Sequence, residues 1–343
     1  MRAKRVTVSG TQTVAADPAR GTAQQADPSE DGSLAPADPE FAELGGSGMA
    51  AKYGLAVAGK RPNPIAYARR LWAARHFIVT WATARNQALY SGSRLGQLWQ
   101  VLTPILNVAV YYLIFGILLG TRDGIPDFIV YLVAGVFIFN FMQTAMLYGS
   151  RAISDNLNLI RALYFPRASL PIAITIIQLQ QLLIAMVILV TVALAQGEPV
   201  TWHWLLIVPA LCLQFVFNTG LALLVARFGA ILTDTSQLLP FILRTWLYAS
   251  GVFYSIKSMI GKHRIPGAVT WVLDHNPPLL FIQVIRSQLI TVPATNDPKI
   301  ALGYRNAMFL PPHAWLWLVI WAAVVGIGGY LYFWQGEETY GRG

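Results

Sequence analysis

Six stretches of the chain carry no charged residue, or almost none, over the length a helix needs to cross a bilayer. They are 98–119, 128–148, 170–195, 204–226, 237–255 and 314–334. About 20 apolar residues rising 1.5 Å each cover roughly 30 Å of hydrocarbon. Lipid offers the backbone no hydrogen-bond partner, so each stretch is predicted to be helical, and the polar alternation of barrel strands is missing. The fold class that follows is all-α and integral to a membrane, with six transmembrane helices. Pro104, Pro209 and Pro240 fall within or near the ends of these helices and predict kinks.

The flanking charges give an orientation, because short loops rich in Lys and Arg stay in the cytoplasm. Lys60, Arg61, Arg69, Arg70, Arg75, Arg85 and Arg94 precede the first span; Arg151, Arg161 and Arg167 follow the second, and Arg227 follows the fourth. The opposite short loops offer only Arg122, and nothing basic beside Glu198. Both termini are therefore expected inside. The long connector 256–313 holds six basic residues, but long loops obey the charge rule poorly. Its apolar stretch 269–290 is interrupted by Asp274, His275, Asn276, Pro277 and Pro278, and neither half can cross alone. A re-entrant external hairpin between spans 5 and 6 is expected, with a seventh crossing as the alternative.

Upstream, residues 65–90 mix Arg69, Arg70, Arg75, His76 and Arg85 with Leu71, Trp72, Phe77, Ile78, Val79 and Trp81. That is too charged to span and too apolar for a free helix, so residues 60–96 are assigned to a basic, amphipathic interfacial helix. Its faces separate imperfectly, which leaves room for cover by protein. Residues 1–59, rich in Ala, Gly, Pro, Asp, Ser and Thr, read as a disordered cytoplasmic tail, and no apolar signal-peptide core follows Met1 to Gly10. The six-span domain occupies 97–336 and a cytoplasmic C-terminus 337–343. The last span carries Trp315, Trp317 and Trp321 at one end and Tyr330, Tyr332, Phe333 and Trp334 at the other, the aromatic belts of a crossing helix.

Composition agrees. The 343 residues are 55% hydrophobic and 12% charged, against about 25% charged in ordinary soluble domains. Of 16 acidic residues, seven lie before residue 48, so the remainder is more basic than the net +9 suggests. Those basic residues sit beside spans and form no stripe on a soluble fold, which argues against a nucleic-acid partner. The single cysteine, Cys212, excludes an intrachain disulfide and makes Cys-based metal ligation implausible. There is no G-x-x-x-x-G-K-[ST], H-E-x-x-H or G-x-S-x-G, and the five histidines show no ligand spacing. No catalytic site and no metal site are expected. Within the spans Arg244 is the one clear ionisable group, and a guanidinium is a poor proton relay. Energy for any transport must then come from another subunit.

Four stretches carry a likeness to a known family. Arg85 to Pro104 reads RNQALYSGSRLGQLWQVLTP, and Asn158 to Pro171 reads NLIRALYFPRASLP. Arg227 to Asp234, then Leu238, Pro240 and Gly251 to Tyr254, form a third; Asn276-Pro277 opening an amphipathic run through Arg286 forms the fourth. Together the chain resembles the permeases of ABC-2 type exporters that move polysaccharides, such as O-antigen, teichoic acid and mycobacterial galactan transporters, over roughly 65–336. It departs in the spacing of Arg227 and Asp234 and in its long acidic tail.

The resemblance implies a homodimer working with two copies of a separate ABC-type ATPase that binds Mg-ATP, with no cofactor in this chain. Its cargo would be a lipid-linked polysaccharide crossing the plasma (inner) membrane, with galactan on a polyprenyl pyrophosphate the best guess from the Arg-rich composition. It also implies an ATPase-coupling loop: Asp155, Leu159, Ile160, Arg161, Tyr164, Phe165 and Arg167. Aromatic rings let sugars slide without tight binding, so Tyr111, Tyr112, Phe137, Phe139, Phe141, Tyr148, Trp246 and Tyr248 are candidate channel residues. Carrier pyrophosphate seeks cations, and Arg70, Arg85, Arg94 and Arg244 are the candidates at the entry. The competing readings are an exporter of drugs or lipids and a polytopic membrane glycosyltransferase, although Asp123, Asp127, Asp234 and Asp274 are too dispersed for the latter. The topology has a direct check: a reporter on the C-terminus should be shielded from the cell exterior, and exterior-only accessibility refutes an even number of crossings.

Overall fold

A computed structural model describes residues 62–120, 125, 127–232, 234–258, 266–292 and 297–340. The expected tail 1–59, most of the loop carrying Arg122 and Asp123, and the last three residues lie outside them. Among the described residues the regular structure is entirely helical. In chain order the helices are α1 (Pro64–Ala73), α2 (Arg75–Ser91), α3 (Trp99–Tyr111), α4 (Phe128–Ser150), α5 (Leu157–Ala162), α6 (Ser169–Ala195) and α7 (Ile207–Ile231). They continue with α8 (Thr235–Ala249), α9 (Gly267–Asp274), α10 (Pro277–Leu289), α11 (Pro298–Ala307) and α12 (Ala314–Gln335). A π-helical segment, Tyr112–Leu118, prolongs α3.

Among the described residues five stretches are long and apolar enough to cross a membrane: Gly96–Leu118, Phe128–Ser150, Ser169–Ala195, Trp202–Ile231 and Ala314–Gln335. They correspond to five of the six predicted spans. The remaining one, predicted at 237–255, is the 15-residue α8, which at 1.5 Å per residue covers only about 22 Å. It stops early because the chain turns at Gly251, which adopts a left-handed φ of 61°. Even so, the chain between the end of α7 and the turn at Gly251 runs from one end of α4 to the other. Gly229 packs so tightly on the Ser150 carbonyl that no Cβ would fit, whereas Gly251 accepts a hydrogen bond from the Tyr131 hydroxyl at 3.2 Å.

The prolines act less uniformly than expected. Pro104 and Pro240 lie inside α3 and α8, but Pro209 occupies the first turn of α7, where a missing N–H costs nothing. The interrupted stretch 269–290 forms two helices, α9 and α10, divided at His275 and Asn276. Nearly all of α10 is buried, including Arg286, whose hydrogen bonds go to backbone carbonyls. Its Nε donates to the Tyr131 carbonyl at 2.9 Å, Nη1 to the Gly251 carbonyl at 3.0 Å and Nη2 to the Val252 carbonyl at 2.8 Å. The guanidinium also lies 3.3 Å over the Tyr131 ring, and Gly135 leaves the room it occupies. One cation thus caps the carbonyls freed where the chain turns after α8, and fixes α10 to α4.

The interfacial segment also differs from expectation: it is two helices, broken at Ala74, instead of one. α2 does not lie apart from the bundle but runs along α6, to which its side-chain amides are bonded. The main core gathers around α4, with Tyr131, Phe139, Phe217 and Phe281 fully buried. A second, smaller core joins Tyr67 and Leu71 of α1, Ile78 and Ala82 of α2, Ile153 and Ile160 of the following loop, and Phe333 and Tyr340 at the far end of the chain.

The pairing of α7 with α12 is made by glycines facing each other. A Cβ on Gly220 would strike the Val325 carbonyl, and one on Gly329 the Gly220 carbonyl; Gly328, on the same turn, meets nothing. This is how small residues bring membrane helices into contact when no hydrophobic drive separates helix from lipid. Gly329→Val should therefore destabilise the purified protein by about 1–3 kcal/mol through overpacking, read as a lowered thermal midpoint in detergent. Gly328→Val should leave that midpoint close to wild type; equal losses would refute the packing account.

Candidate functional site

Two regions hold the polar chemistry. The first is a cavity of about 260 Å³ between α3, α4 and α6, closed at its sides by Tyr90 of α2 and Leu247 of α8. On α3 the residues facing it include Gln100, Thr103, Asn107 and Tyr111, spaced three, four and four apart, which places them on one helical face. α4 adds Asn140, Gln143 and Thr144, and α6 adds Gln178 and Gln181. Asn140 is the thirteenth of 23 residues in the most buried span, yet it is exposed. A polar side chain open at that depth belongs in a wet cavity or against protein, not against lipid. Amides and hydroxyls dominate the wall, and the lining includes neither a carboxylate nor a basic side chain.

The amides extend beyond the cavity. Asn86 of α2 donates to Gln180 Oε1 at 3.1 Å and accepts from Gln181 Nε2 at 3.2 Å, and Gln180 Nε2 donates to Thr83 at 2.9 Å. Gln180 and Gln181 lie near the middle of α6, so α2 follows that span deep along its length. Asn86 is buried and the other three are half-buried, and polar side chains paired in this way favour one arrangement. Arg85, expected at the entry, is exposed on α2 with its guanidinium 5.3 Å over the Trp81 ring.

The expected channel aromatics divide. Tyr111 lines the cavity, packed 5.0 Å from Phe253. Phe137, Phe139 and Phe141 border it too, but each is at most 4% exposed, so their rings serve mainly the core. Tyr112 packs on Phe128 and Tyr148 is 56% exposed; neither borders the cavity. Trp246 donates to Asn276 Oδ1 at 2.7 Å, a bond that ties α8 to the α9–α10 break. Tyr248 lies half-exposed beside Phe253. Weighing only ionisable groups inside the spans passes over the amides; their three- and four-residue spacing on α3 is the signal that marks them.

The second region is a groove of about 520 Å³ at the other end of α2. Arg70, Ala73, Ala74 and Phe77 form one wall, and Leu163, Tyr164, Phe165 and Pro166 the other. The loop after α4 carries a short helix, α5, but the side chains in and after it sort themselves differently from the expected apolar anchor. Ile160 is buried and Leu159 packs into the second core, and Phe165 turns inward to pack with its ring tilted, 5.5 Å from that of Phe77. Tyr164, 90% exposed, and Leu163 present the outward apolar surface. Arg161 and Asp155 are exposed beside them. Arg70 donates to the Tyr164 hydroxyl at 3.3 Å, a contact that brings an expected entry cation to the expected coupling loop. Arg94 is exposed in the turn before α3, and Arg244 is exposed on α8. The four arginines therefore form no single cluster.

The groove's root is held by Glu337. Its Oε2 accepts from the Tyr67 hydroxyl at 2.6 Å and its Oε1 from the Arg167 backbone N–H at 3.1 Å, while the Arg167 guanidinium donates to the Glu337 carbonyl. Tyr67 in turn accepts from the Ala168 N–H at 3.0 Å. Burial pushes the Glu337 carboxyl above the usual carboxylate range, partly offset by these donors. No group of three or more His, Cys, Asp or Glu able to hold a metal occurs among the described residues.

A model of the family described as ABC-2 type transporter matches residues 78–290. The chain is also similar to an O-antigen export system permease protein RfbA of Myxococcus xanthus, 27% identical over 191 residues, 56% of this chain and 73% of that protein. Two proteins of the same name from Klebsiella pneumoniae are 22% and 21% identical over 189 residues, each match covering 55% of this chain and 70% of the relative.

The α2–α6 amide network can be tested alone. Asn86→Leu takes away the partner of Gln180 Oε1 and of Gln181 Nε2, both on half-buried side chains, and should cost about 1–3 kcal/mol of stability, measured by thermal unfolding. Gln87→Leu, on the exposed side of the same helix, should cost far less, and parity between them would contradict the network.

Proposed function

Because the chain belongs to the ABC-2 type transporter family, we propose that it is the membrane path through which an ATP-driven exporter moves a lipid-linked polysaccharide out of the cytoplasm. The chain is a multi-pass transport subunit, not an enzyme, and ATP is hydrolysed in a separate subunit. The observation that carries the cargo is the amide- and hydroxyl-lined cavity. Such walls exchange hydrogen bonds with sugar hydroxyls as readily as water does, and without a charge they hold no segment tightly enough to stop it. The relatives' role, O-antigen export, points the same way. Galactan on a polyprenyl pyrophosphate is the specific cargo proposed, since a galactan carries no charge that the cavity would have to balance.

Six crossings, with both termini in the cytoplasm, fit the course of the chain from Gly229 at the end of α7 to Gly251 after α8, which runs from one end of α4 to the other. Two copies are proposed because α3 has only 6% of its apolar window buried and α8 exposes Leu238, Phe241 and Ile242 together with Arg244. A cation on a lipid-facing helix is costly, and a second copy would cover it. Two ABC-type ATPase subunits would meet the groove beside Leu163 and Tyr164, with Asp155, Arg161 and Arg167 around it. The plasma membrane is where such an exporter would act.

The test is reconstitution of the chain with its ABC-type ATPase subunit, in vesicles loaded with lipid-linked galactan. ATP-dependent movement of the glycan is expected, and Asn140→Leu combined with Gln143→Leu should slow it about tenfold, the value of one or two hydrogen bonds. Undiminished movement in that variant would overturn the assigned path.

A further inference from the structure

The contacts of Glu337 tie together three segments that are far apart in sequence. Tyr67 stands on α1, Arg167 and Ala168 close the loop that carries α5, and Glu337 follows α12 directly. Two more bonds run parallel to these: the Tyr330 hydroxyl donates to the Pro64 carbonyl at 2.7 Å, and Trp334 Nε1 to the Pro62 carbonyl at 2.9 Å. Around them Phe333 and Tyr340 stack at 4.6 Å and share the second core with Tyr67 and Ile160. None of these residues lines the cavity, so the transport path does not explain the cluster.

We propose that Glu337 is a positioning residue that makes α1, the loop 151–168 and the end of α12 move as one body, so that a push on the loop reaches the last span. The proposal rests on the reading of that loop as the ATPase contact. The physical argument is one of stiffness. A loop anchored only at its two ends dissipates displacement in its own backbone dihedrals, whereas one whose root is hydrogen-bonded to a buried carboxylate passes it on. Charge-assisted bonds of this kind are about twice as strong as neutral ones. Without the carboxylate, the Arg167 N–H and the Tyr67 hydroxyl lose their shared acceptor, and the loop is joined to the end of α12 by apolar contacts and the single bond from the Arg167 guanidinium to the Glu337 carbonyl.

The experiment uses the full chain, with Cys212→Ala and spin labels at Leu163→Cys on the loop and Leu331→Cys on α12, both exposed positions, alone and with its ATPase. With Glu337 intact the label distance should be narrowly distributed and unchanged when ATP is added; with Glu337→Ala it should broaden. In the unlabelled complex Glu337→Ala should lower the glycan moved per ATP hydrolysed about tenfold, with the rate of hydrolysis nearly retained. Glu337→Gln, which keeps one acceptor oxygen, should recover most of the ratio. Tyr67→Phe, which preserves the ring packed on Tyr330, should lose part of it, and covers the case in which Glu337→Ala fails to fold. An unbroadened distribution, or a parallel fall of hydrolysis and transport at constant ratio, overturns the proposal. A wild-type complex that hydrolyses ATP yet moves no glycan would refute the proposed cargo instead, and the label distances would still decide the rigid body.

Discussion

Hydrocarbon accepts and donates no hydrogen bonds, and every polar group within the spans of this chain is placed under that constraint. Arg286 answers it by giving two N–H groups to the Gly251 and Val252 carbonyls, where the chain turns after α8, and a third to the Tyr131 carbonyl of α4. Asn86, Gln180, Gln181 and Thr83 answer it by pairing with one another. Asn140 answers it in neither way: it stays open in the middle of a helix that is otherwise largely buried. The contrast between those paired amides and the exposed Asn140 separates the scaffold from the proposed path, whereas Asn218 of α7 is fully buried with its amide unpartnered and borders no part of the cavity. A membrane protein tolerates an open amide only where water or polar cargo reaches it.

The same constraint shapes how the two functional regions are joined. α2 begins beside the loop groove, where Phe77 meets Phe165, and ends at the cavity, where Tyr90 forms part of the wall. Between these points its amides are bonded to the middle of α6. On the proposed reading, an ATPase seated on Leu163 and Tyr164 acts on a body that reaches the cavity through α2 and the last span through Glu337. On that reading the chain supplies path and transmission, and the energy comes from the other subunit.

Much of the scaffold was legible in the sequence because an uncharged apolar run of about 20 residues is hard to accommodate anywhere but in a bilayer. The fifth predicted span is longer than the helix that forms, since hydropathy does not register the turn that Gly251 makes. The two-helix break at His275 and Asn276 was visible, because acidic, amide and proline residues interrupt an apolar run there. Within the coupling loop the residue types were legible and their directions were not. Ile160 faces in and Tyr164 out because a six-residue helix shows less than two turns, too few to reveal a face. Pairings such as Tyr67 with Glu337, 270 residues apart, depend on the folded arrangement of several elements and leave no local trace. The cavity amides did leave one, in their spacing along α3, but neutral side chains inside a span carry too weak a signal to stand out beside a lone arginine.

The central claim, that the amide-lined cavity is wet and lies on the transport path, has a direct measurement. With Cys212→Ala as background, Asn140→Cys in lipid vesicles is offered a water-soluble, membrane-impermeant thiol reagent and, separately, an apolar one confined to the bilayer. The account predicts modification by the water-soluble reagent, slowed when lipid-linked glycan is present. Modification by the bilayer-confined reagent alone would place Asn140 against lipid and contradict it.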